Sequence, residues 1–511
     1  MPLRKARCKG LTTERPALRL RGVTFRYQEQ GSRNILDHVD LDVSAGGLTV
    51  LMGASGCGKS TLAAVAAGLY PENGGYLEGG DIELFGHPLQ GMNPQQRAGW
   101  LTILFQNPDL QFCMDTLRKE MRFCMENIRI PAQEMAAKIE RAAAELGVQA
   151  LLDRELLTLS GGEKQRAALA CLYVMESRCV LLDESFANLD GEAAGALLEV
   201  LLEMKRRGRT IIAIDHQAGL WLDAADEIIL LGQGGRVAQR GINRDNLPQF
   251  REKFRELGLF YPGEMRRSVP PRRGQTPMLT LRGVGIRSGE SKRRGWRRRP
   301  PEGEALLENA DASFPKGCMT AVLGRSGSGK TTTLLSVLGQ HPYTGRIELD
   351  GRDVSRMKPQ ELYRQVGIVF QNPANQFVTQ NVEDEVRVGM ELWEPGLSDA
   401  QYRQKADDLL KSFGLYPLRR YSPYMLSQGQ QRRLAVLSVI AGGQRLLLLD
   451  EPTYGQDARS VEAIMRQLRD RVEREGLTVI FITHDRALAM AWADCIYELR
   501  DRSLVPVEGV G

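Results

Sequence analysis

"GASGCGKST" at residues 53–61 and "GRSGSGKTT" at residues 324–332 each follow an apolar segment, "LTVLM" in the first case and "MTAVL" in the second. Both match the pattern G-x-x-x-x-G-K-[ST], in which backbone N–H groups surround phosphates, the lysine reaches the terminal phosphates and the hydroxyl binds Mg²⁺. Two such loops predict two nucleotide sites, but a loop of this kind alone fits kinases, GTPases and many motor ATPases equally well. The predicted binding residues are Gly53, Ser55, Gly56, Gly58, Lys59, Ser60, Thr61, Gly324, Ser326, Gly327, Gly329, Lys330, Thr331 and Thr332.

Several other segments of the chain occur twice, in the same order. Each second copy lies about 270 residues after the first, which is the mark of a duplicated structural unit. The repeat therefore predicts two tandem domains of similar fold. The repeated segments are "FQNPDLQF" (105–112) and "FQNPANQF" (370–377), "LSGGE" (159–163) and "LSQGQ" (426–430), and "LLDE" (181–184) and "LLDE" (448–451).

Length and composition agree with two globular domains. Each half of the 511-residue chain is long enough for its own core. Charged residues make up 26% and hydrophobic residues 42% of the chain, an ordinary balance that excludes a largely disordered protein. The eight cysteines show no spacing typical of zinc or of a disulfide framework, and the net charge of +5 does not indicate nucleic-acid binding. We predict domains at 1–260 and 278–511, with a proline- and arginine-rich linker at 261–277 between them.

Local patterns predict the same architecture in each half. Alternating apolar residues at 17–27 and 278–288 predict antiparallel strands, and the apolar segment before each glycine loop predicts a buried strand that leads into a helix. Helical stretches follow at 131–147 and 398–414. The predicted fold is α/β, with two P-loop domains that each contain an α/β core, an antiparallel β subdomain and an inserted helical subdomain.

Acidic pairs end two apolar segments, "CVLLDE" and "LLLLDE". The first carboxylate, Asp183 or Asp450, is placed to orient the Mg²⁺ shell, and the second, Glu184 or Glu451, to act as base on the attacking water. Solvated acids at strand ends would be the alternative interpretation. The equal distance from a serine-glycine segment in both halves favours the catalytic one.

With these residues in place, the chain resembles the ABC ATPases over nearly its whole length. "LSGGEKQR" and "LSQGQQRR" resemble the ABC signature, Gln106 and Gln371 the Q-loop glutamine, "ANLD" (187–190) and "YGQD" (454–457) the D-loop, and His216 and His484 the switch histidine. The resemblance implies ATP and Mg²⁺ as cofactors. It also implies that the halves pair head to tail within one chain, with each ATP between the P-loop of one half and the signature of the other.

Further site residues follow from this resemblance. The implied catalytic residues are Glu184, Glu451, His216, His484, Gln106 and Gln371. The signature residues implied to contact nucleotide are Ser160, Gly161, Gly162, Ser427 and Gly429. The implied Mg²⁺ ligands, direct or through water, are Ser60, Thr331, Gln106, Gln371, Asp183 and Asp450.

The octapeptide Phe-Gln-Asn-Pro-x-x-Gln-Phe is similar to the Q-loop extension of the energy-coupling-factor importers of vitamins and transition metals. That resemblance implies an integral membrane scaffold, a substrate-capturing membrane subunit, a place on the cytoplasmic face of the cell membrane and no nucleic-acid partner. We expect Phe112 and Phe377 to line grooves for the scaffold, with core packing as an equally weighted alternative. The other functions considered are the tandem ATPase of a sugar importer and a soluble ABC ATPase acting on ribosomes or DNA.

The two halves depart from the ABC pattern at different positions. Tyr27 matches the aromatic residue that stacks on adenine, whereas Ser288 occupies the aligned position in the second half. Gln428 replaces the first signature glycine, and Ser185 replaces the proline that Pro452 keeps. Cys57 in the first loop is predicted to be a small filler. The basic segment at 291–303 is interpreted as a solvated loop without an assigned function.

Overall fold

The computed structural model describes residues 15–29, 34–186, 189, 191–262, 276–289, 303–325, 327–453 and 456–507. The chain divides into two compact units after Pro262. This point falls inside the predicted linker 261–277, most of which lies outside the described residues, and the domain bounds 1–260 and 278–511 stay a prediction. The basic segment at 291–303 also lies outside the described residues, apart from Gly303.

The first unit contains two sheets and seven α-helices among its described residues. Its elements in chain order are β1 (Leu18–Arg26), β2 (Leu36–Val43), β3 (Leu48–Gly53), α1 (Lys59–Ala66), β4 (Tyr76–Leu84), β5 (His87–Pro88), α2 (Pro94–Trp100), β6 (Leu101–Leu104), α3 (Leu117–Asn127), α4 (Ala132–Leu146), α5 (Gly161–Val174), β7 (Cys179–Asp183), α6 (Gly191–Arg206), β8 (Thr210–Asp215), β9 (Glu227–Leu231), β10 (Val237–Ile242) and α7 (Arg251–Leu257).

The second unit repeats this order with small differences. Its elements are β11 (Pro277–Arg287), β12 (Ala305–Pro315), β13 (Met319–Gly324), α8 (Lys330–Val337), β14 (Thr344–Leu349), β15 (Arg352–Asp353), α9 (Pro359–Gln365), β16 (Val366–Val369), α10 (Val382–Trp393), α11 (Asp399–Ser412), α12 (Gln428–Ala441), β17 (Leu446–Asp450), α13 (Ala458–Glu475), β18 (Thr478–Thr483), α14 (Arg486–Trp492), β19 (Cys495–Arg500) and β20 (Ser503–Pro506).

The sheets have the same strand order in both units. The antiparallel sheets run β2-β1-β4-β5 and β12-β11-β14-β15, and the larger sheets run β10-β9-β3-β8-β7-β6 and β20-β19-β13-β18-β17-β16. Each larger sheet is parallel except for one antiparallel edge strand, β10 or β20. Both glycine loops therefore leave the carboxyl end of a central strand, and both acidic pairs end a strand two places away in the same sheet.

The larger sheet of the first unit is buried on both faces. Leu48, Val50 and Met52 of β3 pack into one apolar cluster, while Leu51 packs into a second cluster on the opposite face. Such continuous apolar strands are typical of parallel sheets covered on both sides. This burial holds the loop after β3 in a defined position, because the strand beneath it cannot shift without exposing its core residues.

The inserted helical subdomains lie where the sequence predicts them. Helix α4 ends at Gly147, whose φ of 63° suits a residue without a side chain. Helix α11 begins after Ser398, which forms a capping box with Gln401. The predicted fold class is confirmed in both units. None of the helices in the described part of the chain combines the length and apolar character that a membrane crossing requires.

Candidate nucleotide sites

The glycine loops fold as phosphate-binding loops. Gly56 and Gly58 adopt φ values of 76° and 107°, a region that L-residues with side chains rarely enter. A Cβ at Gly58 would also lie 2.9 Å from the Ile35 carbonyl oxygen. Lys59 is buried, and its Nζ donates to the carbonyl oxygens of Gly53 at 2.8 Å and Ala54 at 3.3 Å. These contacts hold the ammonium group against the loop that would surround a phosphate.

The second loop reproduces this arrangement. Gly327 and Gly329 have φ values of 76° and 95°. Lys330 Nζ donates to the carbonyl oxygens of Gly324 at 2.6 Å and Arg325 at 2.7 Å. Ser326, a predicted binding residue in this loop, lies outside the described residues.

A hydroxyl group and a carboxylate meet beside each loop. Ser60 Oγ donates to Asp183 Oδ1 at 3.1 Å, and Thr331 Oγ1 donates to Asp450 Oδ2 at 2.7 Å. In P-loop NTPases this pair of oxygen groups holds the Mg²⁺ that accompanies the nucleotide. The donor set in both units therefore fits Mg²⁺.

The backbone of both predicted bases is unusual. Glu184 and Glu451 have φ values of 49° and 50°, in the left-handed region that costs a non-glycine residue about 1–3 kcal/mol. Their N–H groups donate to the carbonyl oxygens of Ile214 and Ile482 on the neighbouring strand. The same strained turn at both strand ends places each glutamate among the loop and switch residues rather than along the sheet.

The first unit brings its predicted catalytic residues into one network. His216 Nε2 lies 2.7 Å from Glu184 Oε1, Gln106 Nε2 donates to Glu184 Oε2 at 3.1 Å, and Lys59 Nζ lies 3.6 Å from Glu184 Oε1. Lys59 Nζ also lies 3.4 Å from His216 Nδ1. Because an ammonium group can only donate, Nδ1 accepts, and Nε2–H donates to Glu184.

The described residues of the second unit show a different set of contacts. His484 Nδ1 lies 3.1 Å from Glu451 Oε1, so the opposite ring nitrogen faces the glutamate compared with the first unit. Gln371 is exposed, and no hydrogen bond joins its side chain to Glu451 among the described residues. The roles of Gln371 in catalysis and in binding Mg²⁺ therefore stay predictions.

The pKa values of the titratable groups in the sites are shifted in different directions. Burial, together with the nearby Glu184 carboxylate, raises the pKa of Asp183 to about 6. Burial opposes the charge on Glu184 as well, but His216 and Lys59 outweigh it and bring the pKa of Glu184 below its usual range. Burial raises the pKa of Asp450, and the hydrogen bond to Glu451 raises the pKa of His484. Glu184 is thus ionised at neutral pH, as a general base requires.

The signature serines begin helices. Ser160 caps α5 with Glu163, and Ser427 caps α12 with Gln430, each through a reciprocal capping box. Gly161 leaves open space where a Cβ would stand, whereas a Cβ at Gly162 would lie 3.4 Å from Leu189 and one at Gly429 would lie 2.6 Å from Gln456 Oε1. The exposed helix starts suit contact with an anion, and the roles of these residues stay predictions.

The aromatic contact differs between the units as the sequence suggests. The Tyr27 ring is 49% exposed beside the first loop, and its hydroxyl lies 2.8 Å from Thr61 Oγ1. Phe25 and Tyr70 pack edge-on against this ring and hold it in place. Ser288 follows β11 at the aligned position and offers no ring.

The loop cysteine, Cys57, is buried against Gly53, where a Cβ would lie 2.5 Å from its sulfur, as expected for a filler.

The D-loop segments are described in part. Positions 187, 188, 190, 454 and 455 lie outside the described residues. Leu189 is buried, and Gln456 and Asp457 are buried in the second unit. Asp457 caps α13 by accepting the N–H of Ser460 at 2.8 Å.

The repeated octapeptide has a structural explanation in both units. Asn107 and Asn372 accept the N–H of residues 109 and 374 and so cap a short 3-10 turn that begins at the proline. The second glutamine closes the loop, because Gln111 and Gln376 accept the N–H of Phe105 and Phe370. The residues that the two octapeptides share therefore preserve the same loop shape around Gln106 in the first unit and Gln371 in the second.

Two buried glutamates beside this loop were missed by the sequence analysis. Glu120 Oε2 accepts the N–H groups of Cys113 at 2.8 Å and Met114 at 2.7 Å. Glu385 Oε2 accepts those of Val378 at 3.0 Å and Thr379 at 2.9 Å. Each glutamate lies eight residues after the last phenylalanine of the octapeptide, and this equal spacing was the signal that could have revealed them.

Replacing Glu385 by Ala is expected to lower the free energy of unfolding of the second unit by about 2 kcal/mol, because two backbone N–H groups lose their acceptor. Hydrogen exchange at Val378 and Thr379, with thermal unfolding, measures the effect. Glu391→Ala on the same helix is the control, since Glu391 is exposed and its partner Arg387 keeps an ion pair with Asp399. Unchanged exchange at both amides would contradict the assigned role of Glu385.

The fold and the site together define each unit as a P-loop ATPase with an inserted helical subdomain. The sequence profile of the ABC transporter family matches residues 36–187 and 307–454. The chain belongs to the ABC transporter family of ATP-binding proteins, and it is an ATPase that uses ATP and Mg²⁺.

Two relatives agree with this assignment, and a solved structure shares the fold. The chain is 34% identical to "Putative HMP/thiamine import ATP-binding protein YkoD" of Bacillus subtilis, covering 94% of this chain and 89% of that protein. It is 32% identical to "Putative ABC transporter ATP-binding protein" of Methanosarcina acetivorans, covering 95% and 84%. The archaeal ribosome recycling factor aABCE1, solved with the stalk protein aP1, is 20% identical with a TM-score of 0.62 over 93% of this chain and 87% of that chain. At that identity the likeness shows the fold alone.

Proposed function

We propose that this ATPase energises a membrane importer of the energy-coupling-factor type, which takes up a vitamin or similar micronutrient. Its partners would be an integral membrane scaffold and a substrate-capturing membrane subunit, and it would act at the cytoplasmic face of the membrane. The name of the Bacillus subtilis relative, which refers to import of HMP and thiamine, supports a vitamin as cargo.

A groove in each unit supports docking of a membrane partner. The first groove has a volume of about 260 Å³ and lies between the octapeptide loop, α3 and α5, with Ile103, Phe112 and Leu172 in its walls. The second groove has a volume of about 310 Å³ and lies between the matching loop, α10 and α12, with Val378, Val388 and Trp393 in its walls. Both units therefore offer a mainly apolar depression of similar size at the same place in the fold.

The first groove is joined to the catalytic network, and this observation carries the proposal. Gln111, in the groove wall, and Gln106, which donates to Glu184, belong to the same octapeptide. Gln165 of α5 is fully buried and donates to the Gln106 carbonyl oxygen at 3.3 Å. A partner seated in the groove would press on the loop that orients the predicted base.

Exposed apolar side chains lie beside both grooves. Leu110 is 77% exposed in the first octapeptide, and Val378, directly after the second, is 75% exposed. Exposed apolar groups that border a groove are typical of interaction sites. The two phenylalanines differ from each other. Phe112 lines its groove, as expected. Phe377 is 6% exposed, packs on Tyr424 and is not among the residues that line the second groove, which fits the alternative of core packing. Val378 takes the place that the sequence suggested for Phe377.

The substitution Val378→Asp is expected to reduce recovery of the membrane subunits with the tagged chain by about tenfold or more, because it places a charge in an apolar contact. The measurement is affinity purification from detergent-solubilised membranes, followed by uptake of labelled thiamine in intact cells. Nucleotide binding should stay unchanged, since Val378 lies in the wall of the second groove and outside the P-loop at residues 324–332.

Val505→Asp is the matched control, because Val505 is an exposed valine on the edge strand β20 of the same unit. Recovery of the membrane subunits with this variant should equal that of the unchanged chain. Full recovery and full uptake with Val378→Asp would contradict docking at the second groove. Recovery of ribosomes in place of membrane subunits would contradict the importer function itself.

The two ATP sites are expected to contribute unequally. If the halves pair head to tail, as the resemblance implies, Glu184 works opposite Gln428 and Glu451 works opposite Gly161. In that arrangement the long Gln428 side chain would crowd the γ-phosphate at the first site. The second site would lack an aromatic contact, a loss of about 1–2 kcal/mol that saturating ATP offsets. We therefore expect Glu451→Gln to reduce steady-state hydrolysis more than Glu184→Gln does.

Both single variants are to be compared at saturating ATP in the assembled complex. Gln428→Gly in the Glu451→Gln background tests the cause, because removing the crowding side chain should restore part of the lost turnover. Equal losses in the two single variants, or a larger loss for Glu184→Gln, would show that the sites do not differ in this way.

A further inference from the structure

Two cysteines of the first unit share one groove. Cys124 lies on α3 and Cys171 lies on α5, and both line the first groove. Cys171 is buried, Cys124 is half-buried, and neither forms a disulfide in this structure. Helices α3 and α5 pack directly against each other, so a bond between these side chains would join two walls of the groove.

The surroundings of Cys171 keep its pKa well above the usual range of a thiol. Hydrogen bonding with Cys124 and burial both raise the pKa of Cys171. Glu120, one turn before Cys124 on the same helix, contributes a negative charge that acts in the same direction. Cys171 is thus kept as a neutral thiol beside a second thiol that the groove makes accessible.

The second unit shows that the fold does not require sulfur at these positions. The corresponding wall of its groove contains Gly389 on α10 and Ser438 on α12. The helices approach so closely there that a Cβ on Gly389 would lie 2.9 Å from the Ser438 carbonyl oxygen. The thiol pair is therefore a feature of the first groove alone among the described residues of the two grooves.

We propose that Cys124 and Cys171 form a dithiol that closes to a disulfide on reaction with a low-molecular-weight disulfide. The Cys124 thiolate attacks the external disulfide, forms a mixed disulfide and releases one thiol. Cys171 then attacks the Cys124 sulfur and breaks the mixed disulfide, and its proton passes to the departing thiolate, which leaves as the second thiol. The two cysteines are oxidised by two electrons, the external disulfide is reduced to two thiols, and the net transfer of two hydrogens balances the reaction.

Closure would fix α3 to α5 in the wall of the groove. If the groove receives the membrane scaffold, which is the proposed function, the disulfide would change docking at the first unit and leave the second unaffected. Formation of the bond does not depend on that role, because it requires the isolated chain and the oxidant alone. Failure of one proposal is therefore distinguishable from failure of the other.

Peptide mapping of the full chain tests the proposal. The chain is treated with oxidised glutathione, the remaining thiols are alkylated, and trypsin then releases residues 123–129 with Cys124 and residues 167–178 with Cys171. We expect these two peptides to appear joined, with loss of two hydrogens, and to separate after reduction by dithiothreitol. The joined species should disappear in Cys124→Ser and in Cys171→Ser.

Cys113 provides the matched control, since it is exposed on the neighbouring loop and falls in a different tryptic peptide. Cys113→Ser should leave the joined species unchanged. If Cys113 of the unchanged chain is glutathionylated while Cys124 and Cys171 are both recovered alkylated, the proposal is wrong. A mixed disulfide that persists on Cys124 without linkage to Cys171 would overturn it as well.

Discussion

ATP turnover by the double variant Glu184→Gln, Glu451→Gln is expected to fall by about 10²–10⁴-fold, the range that a positioned general base contributes. Glutamine keeps the size of the side chain and an oxygen that can accept from His216 or His484, so the site should keep its shape. It cannot take a proton from water at neutral pH. Nucleotide binding should therefore persist, and the family resemblance predicts that the two halves stay closed on the bound ATP.

Phosphate release at saturating ATP, together with retention of labelled ATP on a desalting column, measures both parts of this prediction. The control is Glu252→Gln combined with Glu462→Gln, which changes one exposed glutamate in each unit. Turnover of the double variant within a factor of about two of the control would rule out Glu184 and Glu451 as bases. Loss of ATP retention would instead indicate that the glutamates hold the loops in place.

The second large effect is expected from removing both loop lysines. Lys59 and Lys330 are buried, and each ammonium group is held against two carbonyl oxygens of its own loop. Phosphate oxygens placed at the loop would then be left without their cationic partner. Losing one member of such a buried charged contact costs about 2–5 kcal/mol, which corresponds to about a 30- to 4,000-fold weaker affinity. The variant Lys59→Met, Lys330→Met should therefore bind ATP weakly at both sites.

Titration with a fluorescent ATP analogue gives the dissociation constants directly. Lys253→Met combined with Lys405→Met is the control, since these lysines make exposed ion pairs far from the loops in sequence. Circular dichroism of both double variants verifies the fold. Affinity equal to that of the control in a folded Lys59→Met, Lys330→Met protein would remove these lysines from the binding site.

Short-range rules were enough to predict most of the fold. The apolar strand before each loop, the glycines at residues 56, 58, 327 and 329, and the helix stop at Gly147 each depend on local backbone conformation. Local conformation depends on neighbouring residues. Because the unit is duplicated, each segment could also be compared with the matching segment of the other half. The fold class and the positions of the helical subdomains were therefore predicted correctly.

The contacts around the predicted bases could not be predicted from the sequence. Glu184 and Gln106 are separated by 78 residues, and Lys59 and His216 by 157, so no local pattern shows that they share one network. The positive φ of Glu184 and Glu451 could not be predicted from the sequence either, because glutamate has no preference for the left-handed region. The buried acceptors Glu120 and Glu385 were missed for a related reason. Their partners are backbone N–H groups, which nearly every residue type has, so the sequence does not show which of them need an acceptor.

The sequence by itself determined that this protein is a tandem ABC ATPase, because phosphate-binding loops, acidic strand ends and signature segments must keep their residue types and local spacing to work. It also identified the positions at which the two halves differ, such as Tyr27 in the first half and Ser288 at the aligned position of the second. The tertiary structure alone decided that Val378 rather than Phe377 borders the second groove, and that Cys124 meets Cys171 in the first. Exposure and proximity depend on how distant helices pack, and packing is a property of the whole fold rather than of any segment.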